Sequence, residues 1–93
     1  IKPHIAMLSS SNFGSLKHPT STMVREATEL VKKRAPYLQI DGEMQADTAV
    51  VSDIMKQDYP FCSLENPANV LIFPDMQAGN IAFKLLHRLA DAR

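Results

Sequence analysis

NVLIFPDMQAGNIAFKLLHRLA, residues Asn69 to Ala90, reads as a strand that runs almost directly into a helix. Asn69 to Pro74 is a continuous β-branched and aromatic run ended by a proline. Such a run is apolar on both faces, as strands of a parallel sheet tend to be. From Ala78 to Ala92 the residues Ile81, Ala82, Leu85, Leu86 and Leu89 recur at helical spacing and form one apolar stripe. Only a packed sheet with covering helices can bury both the strand and the stripe.

Two similar units precede this one. HIAMLSS, His4 to Ser10, is a first short strand. Pro19 and the hydroxyls of Thr20 to Thr22 then signal a helix start. Met23, Val24, Ala27, Leu30 and Val31 supply its stripe, and Glu29 stands four residues before Lys33 in the favourable orientation for an ion pair. Pro36 stops the helix, because the residue before a proline is pushed out of the α region. YLQIDGEM is the second strand, with Leu38 and Ile40 inward and Asp41-Gly42 marking its exit. A helix follows from about Ala46 to Lys56, with Ala46, Ala49, Val50 and Ile54 on one side. Pro60 and Pro67 then punctuate a loop.

Strand and helix therefore alternate three times. The expectation is one α/β domain over residues 1–93, a three-layer αβα arrangement in the order βαβαβα, with right-handed crossovers and a parallel sheet. Three parallel strands are few for a sheet of this class. The chain also starts without Met and stops inside a helical run, so the expectation is a piece of a longer protein or an obligate oligomer.

Composition excludes several classes. Ninety-three residues with 45% hydrophobic and 22% charged content are ordinary for a globular chain. A chain of this size buries only about 60–65% of its unfolded surface. Ten basic and ten acidic residues cancel, leaving no electrostatic footprint for nucleic acid and no basic face for a membrane. No apolar run approaches the roughly 20 residues needed to span a bilayer, and no signal peptide is visible. A single cysteine, Cys62, forms no internal disulfide and fits a reducing compartment, so the expected location is the cytoplasm. It is better read as a half-buried thiol than as a nucleophile. His4, His18 and His87 are scattered and show no metal-ligand spacing.

Function is sought at the strand exits, because ligands of open α/β sheets bind beyond the carboxyl ends of the strands. Three polar loops lie there: SSSNFGS (Ser9 to Ser15), DGEMQAD (Asp41 to Asp47) and PDMQAGN (Pro74 to Asn80). In the first, Gly14 allows positive φ and close backbone approach, while Ser9, Ser11, Asn12 and Ser15 offer hydrogen bonds and Lys17 a countercharge. The residues alone leave two readings, a plain turn or a cradle for a phosphate or carboxylate. Asp41, Glu43 and Asp47 are an acid–base or Mg²⁺ pair in one reading, and turn and capping groups in the favoured one. Asn80 either faces a ligand or caps its helix.

Three segments together, SNFGS, IDGEMQAD and NVLIFPDMQAGNIAFKLLHRLA, resemble the phosphate acetyltransferase (phosphotransacetylase) family over nearly the whole chain. The form carrying SNFGS and DGEMQAD is most similar to the phosphotransacetylase-like domain at the C-terminus of large bacterial NADP-dependent malic enzymes. The resemblance implies a fragment of the phosphotransacetylase/isocitrate-dehydrogenase-like fold, with Ser9, Ser11, Asn12, Gly14, Ser15 and Asn80 as ligand-facing positions. It implies a non-catalytic part that assembles homo-oligomers and senses acetyl-CoA or a related anionic metabolite. No cofactor is expected in this segment. NADP and a divalent metal, Mg²⁺ or Mn²⁺, would serve the parent, which converts malate to pyruvate and CO₂. The departures carry this choice: Asn12-Phe13 stands where acetyl-transferring relatives have a Thr-Lys-Gly-Ser-like loop, and their Ser-Arg-Gly segment lies beyond this chain. The alternatives are a fragment of an active phosphate acetyltransferase, making acetyl phosphate from acetyl-CoA and phosphate, and an independent flavodoxin-like binding module.

Overall fold

A computed structural model describes residues 2–90. The elements follow in the order β1 (His4–Leu8), α1 (Pro19–Arg34), β2 (Gln39–Met44), α2 (Ala46–Val50), α3 (Ser52–Asp58), β3 (Val70–Ile72) and α4 (Met76–Leu89). All three strands are parallel and their spatial order is β2-β1-β3, so the expected α/β class and parallel sheet are present. The first strand in the sequence is the central one. The path steps one way from β1 to β2 and then back across β1 to β3. Right-handed crossovers in opposite directions place α1 on one face and α2–α3 on the other.

Packing agrees with that division. Ala6, Leu8, Met44, Ala49, Met55 and Leu64 form one buried cluster, joining the sheet to α2, α3 and the following loop. On α1 the buried side chains are Ser21, Val24 and Thr28, whereas the expected stripe residues Met23 and Leu30 are about half exposed. Small hydroxyl residues take those places because their polar atoms are bonded: Thr28 Oγ1 donates to the Val24 carbonyl at 2.8 Å, and Ser21 Oγ meets Ser9 Oγ at 2.8 Å. They let the helix lie close to the strands without leaving an unpaired buried group.

Four features of the helices differ from the sequence expectation. Pro19 does open α1, but the N-cap is His18, whose Nδ1 accepts the Thr20 N–H at 3.2 Å. The helix expected over Ala46 to Lys56 is two helices, broken at Val51, whose φ of −101° and ψ of 109° are extended. The β-branched pair Val50-Val51 disfavours helix, and Ser52 begins a new one. Val50 is consequently exposed rather than core. The last helix starts at Met76, two residues early, because Asp75 caps it by accepting the Ala78 N–H at 2.8 Å. Its expected extension to Ala92 falls partly on residues 91–93, outside the described ones. Finally, Glu29 pairs with Lys32 at 4.0 Å, not with Lys33.

The second strand shows the largest difference. Asp41-Gly42 is not its exit: the strand continues to Met44, with Asp41 to Met44 all buried. Gly42 has φ +153°, and a Cβ there would stand 2.6 Å from the Met7 carbonyl oxygen of the neighbouring strand. Absence of a side chain is what lets β1 and β2 close up at this point. On the other side of the sheet, Asn69 locks β3 to β1: its Oδ1 accepts the His4 N–H at 2.8 Å and its Nδ2 donates to the Lys2 carbonyl at 3.0 Å.

The stripe of α4 is present but not buried. Ile81, Phe83, Leu85, Leu86 and Leu89 are between 51% and 82% exposed. No described helix is long and apolar enough to cross a membrane.

Candidate functional site

The Ser-rich loop leaves β1 and is built against the end of β2. Its tip is a tight turn: Phe13 at φ +48° and Gly14 at φ +87° both lie in the left-handed region, and the Ser15 N–H donates to the Asn12 carbonyl at 3.0 Å. Two successive positive-φ residues are the signature of a type I′ turn. Gly14 supplies the freedom that the sequence suggested. Phe13 tolerates it because its ring is held, 5.5 Å from Tyr59 and 5.0 Å from Phe61.

Glu43 organises this turn. The Phe13 N–H donates to the Glu43 carbonyl at 2.8 Å, and the Gly14 N–H donates to Glu43 Oε2 at 3.1 Å. Asn12 reaches the same strand end, its Oδ1 accepting the Gln45 N–H at 2.8 Å, while Gln45 Nε2 donates to the Ser10 carbonyl at 2.9 Å. Within the loop, Ser9 Oγ accepts the Ser11 N–H, Ser15 Oγ the Asn12 N–H and Ser11 Oγ the Leu16 N–H. From Ser11 to Leu16 every backbone N–H is thus donated inside the chain. Ser11 and Asn12 are buried. The carboxylate nearest the turn is the chain's own, fully buried Glu43, whose Oε1 has no hydrogen-bond partner.

Asp41 closes a second network. Lys32 Nζ donates to Asp41 Oδ1 at 2.8 Å, the Ser63 N–H to Oδ2 at 2.6 Å and the Gly42 N–H to Oδ1 at 2.9 Å. Burial pushes this carboxyl upward, but the Lys32 ammonium and the two backbone N–H groups outweigh it and hold the pKa below the usual carboxylate value. It ties α1, β2 and the 59–64 loop together from within the strand, and not from a turn at its exit as the sequence suggested. Asp47 accepts the Thr48 N–H at 2.9 Å in the first turn of α2. Burial first, and then the proximity of Asp41, pushes the Cys62 thiol up to about 11, which makes it a poor nucleophile. Among the described residues no group of three or more His, Cys, Asp or Glu is placed to hold a metal ion.

A crevice of about 480 Å³ opens where the strands end. Leu8, Ser9 and Ser10 come from the exit of β1, Phe73 and Pro74 from the exit of β3, His18 and Thr20 from the start of α1, Ala46 from α2 and Ala78 from α4. It lies between β1 and β3, where the chain path reverses, the position at which open α/β sheets take ligands. Ser9 is the one candidate residue of the sequence that lines it. Ser11, Asn12, Gly14 and Ser15 form the neighbouring loop, and Asn80 is exposed on α4 in a separate depression with Met76, Gln77 and Ile81. Sequence reasoning missed His18, Ser10 and Thr20. The signal for His18 and Thr20 was their place beside the helix start, and for Ser10 its place in the Ser-rich loop.

The comparisons with known proteins agree with this geometry. Residues 1–93 match the family described as phosphate acetyl/butaryl transferase, and the chain belongs to that family. It is 52% identical over 91 residues to the phosphate acetyltransferase of Acetivibrio thermocellus, covering 98% of this chain and 27% of that protein. It is 49% identical over 86 residues to the NADP-dependent malic enzyme of Escherichia coli, covering 92% of this chain and 11% of that protein. A phosphotransacetylase structure from Staphylococcus aureus superposes with a TM-score of 0.91 at 39% identity, over 98% of this chain and 29% of the other. The chain therefore spans under a third of the length of the relatives it matches.

Proposed function

We propose that this chain is a ligand-sensing and assembly segment of an NADP-dependent malic enzyme, and that the strand-end crevice holds acetyl-CoA or a related anionic metabolite. One observation carries the choice of sensing over transfer: from Ser11 to Leu16 the loop spends its N–H donors internally, one of them on the Glu43 carboxylate. A loop so engaged has no backbone donor left for a phosphoryl group in flight. The 49% identity to a malic enzyme supports the same reading. In such a parent, other domains carry out the NADP- and metal-dependent oxidation of malate, and the exposed stripe of α4 is covered by assembly.

Calorimetric titration of the full-length protein with acetyl-CoA tests this. Ser9→Ala removes a hydroxyl from the crevice wall and is expected to weaken binding about fivefold, the worth of one hydrogen bond. Unchanged affinity would overturn the crevice as the sensing site. The second reading, a segment of a working phosphate acetyltransferase, is favoured by the 52% identity to one. Formation of acetyl phosphate from acetyl-CoA and inorganic phosphate by the full-length protein would decide for it.

A further inference from the structure

His18 stands on the wall of the strand-end crevice with Ser9, Ser10 and Thr20. Its Nδ1 accepts the Thr20 N–H at 3.2 Å. An accepting nitrogen carries a lone pair, so the neutral ring bears its hydrogen on Nε2. The capping bond that starts α1 therefore also fixes which ring nitrogen is a donor.

The rest of the wall narrows what that donor meets. Besides His18, its polar side chains are the hydroxyls of Ser9, Ser10 and Thr20, and the remainder is apolar. Among the described residues no carboxylate lines the crevice. The two acids that follow lining residues in the chain, Asp47 and Asp75, each accept a backbone N–H, from Thr48 and Ala78. The hydroxyls can each donate and the His18 Nε2–H adds a further donor, so the wall offers an oxyanion hydrogen bonds with no lining carboxylate to repel it.

We infer that His18 is a ligand-contacting residue of the crevice, its Nε2–H donating to a phosphate oxygen of the bound metabolite while its Nδ1 keeps the cap of α1. This rests on the reading of the crevice as a metabolite site. The neutral ring serves both tasks together. Capping and recognition are thereby coupled in one side chain.

The test separates the two tasks by substitution. Asp and Asn are both strong N-caps, so His18→Asp and His18→Asn keep the start of α1 while removing the imidazole donor. The full-length protein is titrated calorimetrically with inorganic phosphate and, separately, with acetyl-CoA. His18→Asp, which also sets a carboxylate against the oxyanion, is expected to weaken binding about tenfold, and His18→Asn about threefold. The thermal midpoints should be no lower than that of the parent protein. A response with inorganic phosphate identifies a free phosphate as the acceptor; a response confined to acetyl-CoA identifies a phosphate of the coenzyme. Affinity of His18→Asp within about twofold of the parent overturns the inference. A crevice-blocking Ser10→Trp distinguishes the failures. If it abolishes binding while His18→Asp does not, the crevice stands and His18 is not its donor. If the parent protein binds neither probe, the crevice reading falls and His18 with it.

Discussion

The N–H of Gly14 donates to the side-chain carboxylate of Glu43 at 3.1 Å, across 29 positions of sequence. With the Phe13 N–H on the Glu43 carbonyl, this makes the end of β2 the template for the loop that leaves β1. The loop's shape therefore depends on a residue outside it.

Removing that residue should uncouple the two. Glu43→Ala leaves the Gly14 N–H without its acceptor and opens a void at a buried position, so a loss of roughly 3 kcal/mol is expected. Glu43→Gln keeps an accepting oxygen and should cost about 1 kcal/mol. Denaturant unfolding of the full-length protein measures both, and equal losses would show that the turn does not depend on this bond.

Two glycines should respond differently to the same change. At Gly42 a Cβ meets backbone and Cβ atoms of Met7 at 2.6 and 2.7 Å, which cannot move without parting the strands. Gly42→Ala is expected to cost about 3 kcal/mol or more. At Gly14 the close atom is Arg25 Nη1, at 2.5 Å, the far end of a flexible side chain. Arg25 swings aside, and Gly14→Ala costs only the left-handed backbone, about 1 kcal/mol. Comparable midpoint shifts for the two variants would contradict this account.

Asp41 makes stability depend on acidity. Its folded pKa is lowered, so its contribution is fully present above the usual carboxylate value and is lost as pH falls through the lower folded value. Asp41→Asn should flatten that acid limb below about pH 4 and cost on the order of 2 kcal/mol at neutral pH, as charged hydrogen bonds to Lys32 and Ser63 are weakened. Unfolding free energies from pH 2 to 7 for parent and variant give the answer.

Cys62 should be slow to alkylate. A thiol raised to about 11 carries little thiolate at pH 8. Iodoacetamide labelling followed by mass spectrometry is expected to run about a hundredfold slower than for an unperturbed thiol. Labelling at the ordinary rate would mean that the burial beside Asp41 is not maintained in solution.

The alternation of strands and helices was legible because each strand is a short apolar run and each crossover has a recognisable start and stop. Gly14's left-handed conformation was legible for the same local reason. The extent of β2 was not. Asp-Gly ordinarily ends a strand, and here it continues one because Lys32, Ser63 and Gly14 bind the acids and Met7 lies against the glycine. Those are contacts across 9 to 35 positions, invisible to any window. The break at Val51 had a local signal, the β-branched pair, outweighed by the apolar spacing around it. The stripe on α4 was legible as a pattern, but a pattern does not say whether the chain itself supplies the cover. At the site, polar loops pointed to the strand ends, while His18 was passed over because capping is ordinarily left to short side chains.

The place of β1 has a consequence for the order of events at the ribosome. Of the three strands His4–Leu8 is made before the others, yet its two sides are completed by Gln39–Met44 and then by Val70–Ile72. Until Asn69 has been synthesised, the amide of His4 lacks the side chain that receives it. The first of the three strands to be made must wait for the last, and the sheet closes inward onto the strand with which it starts.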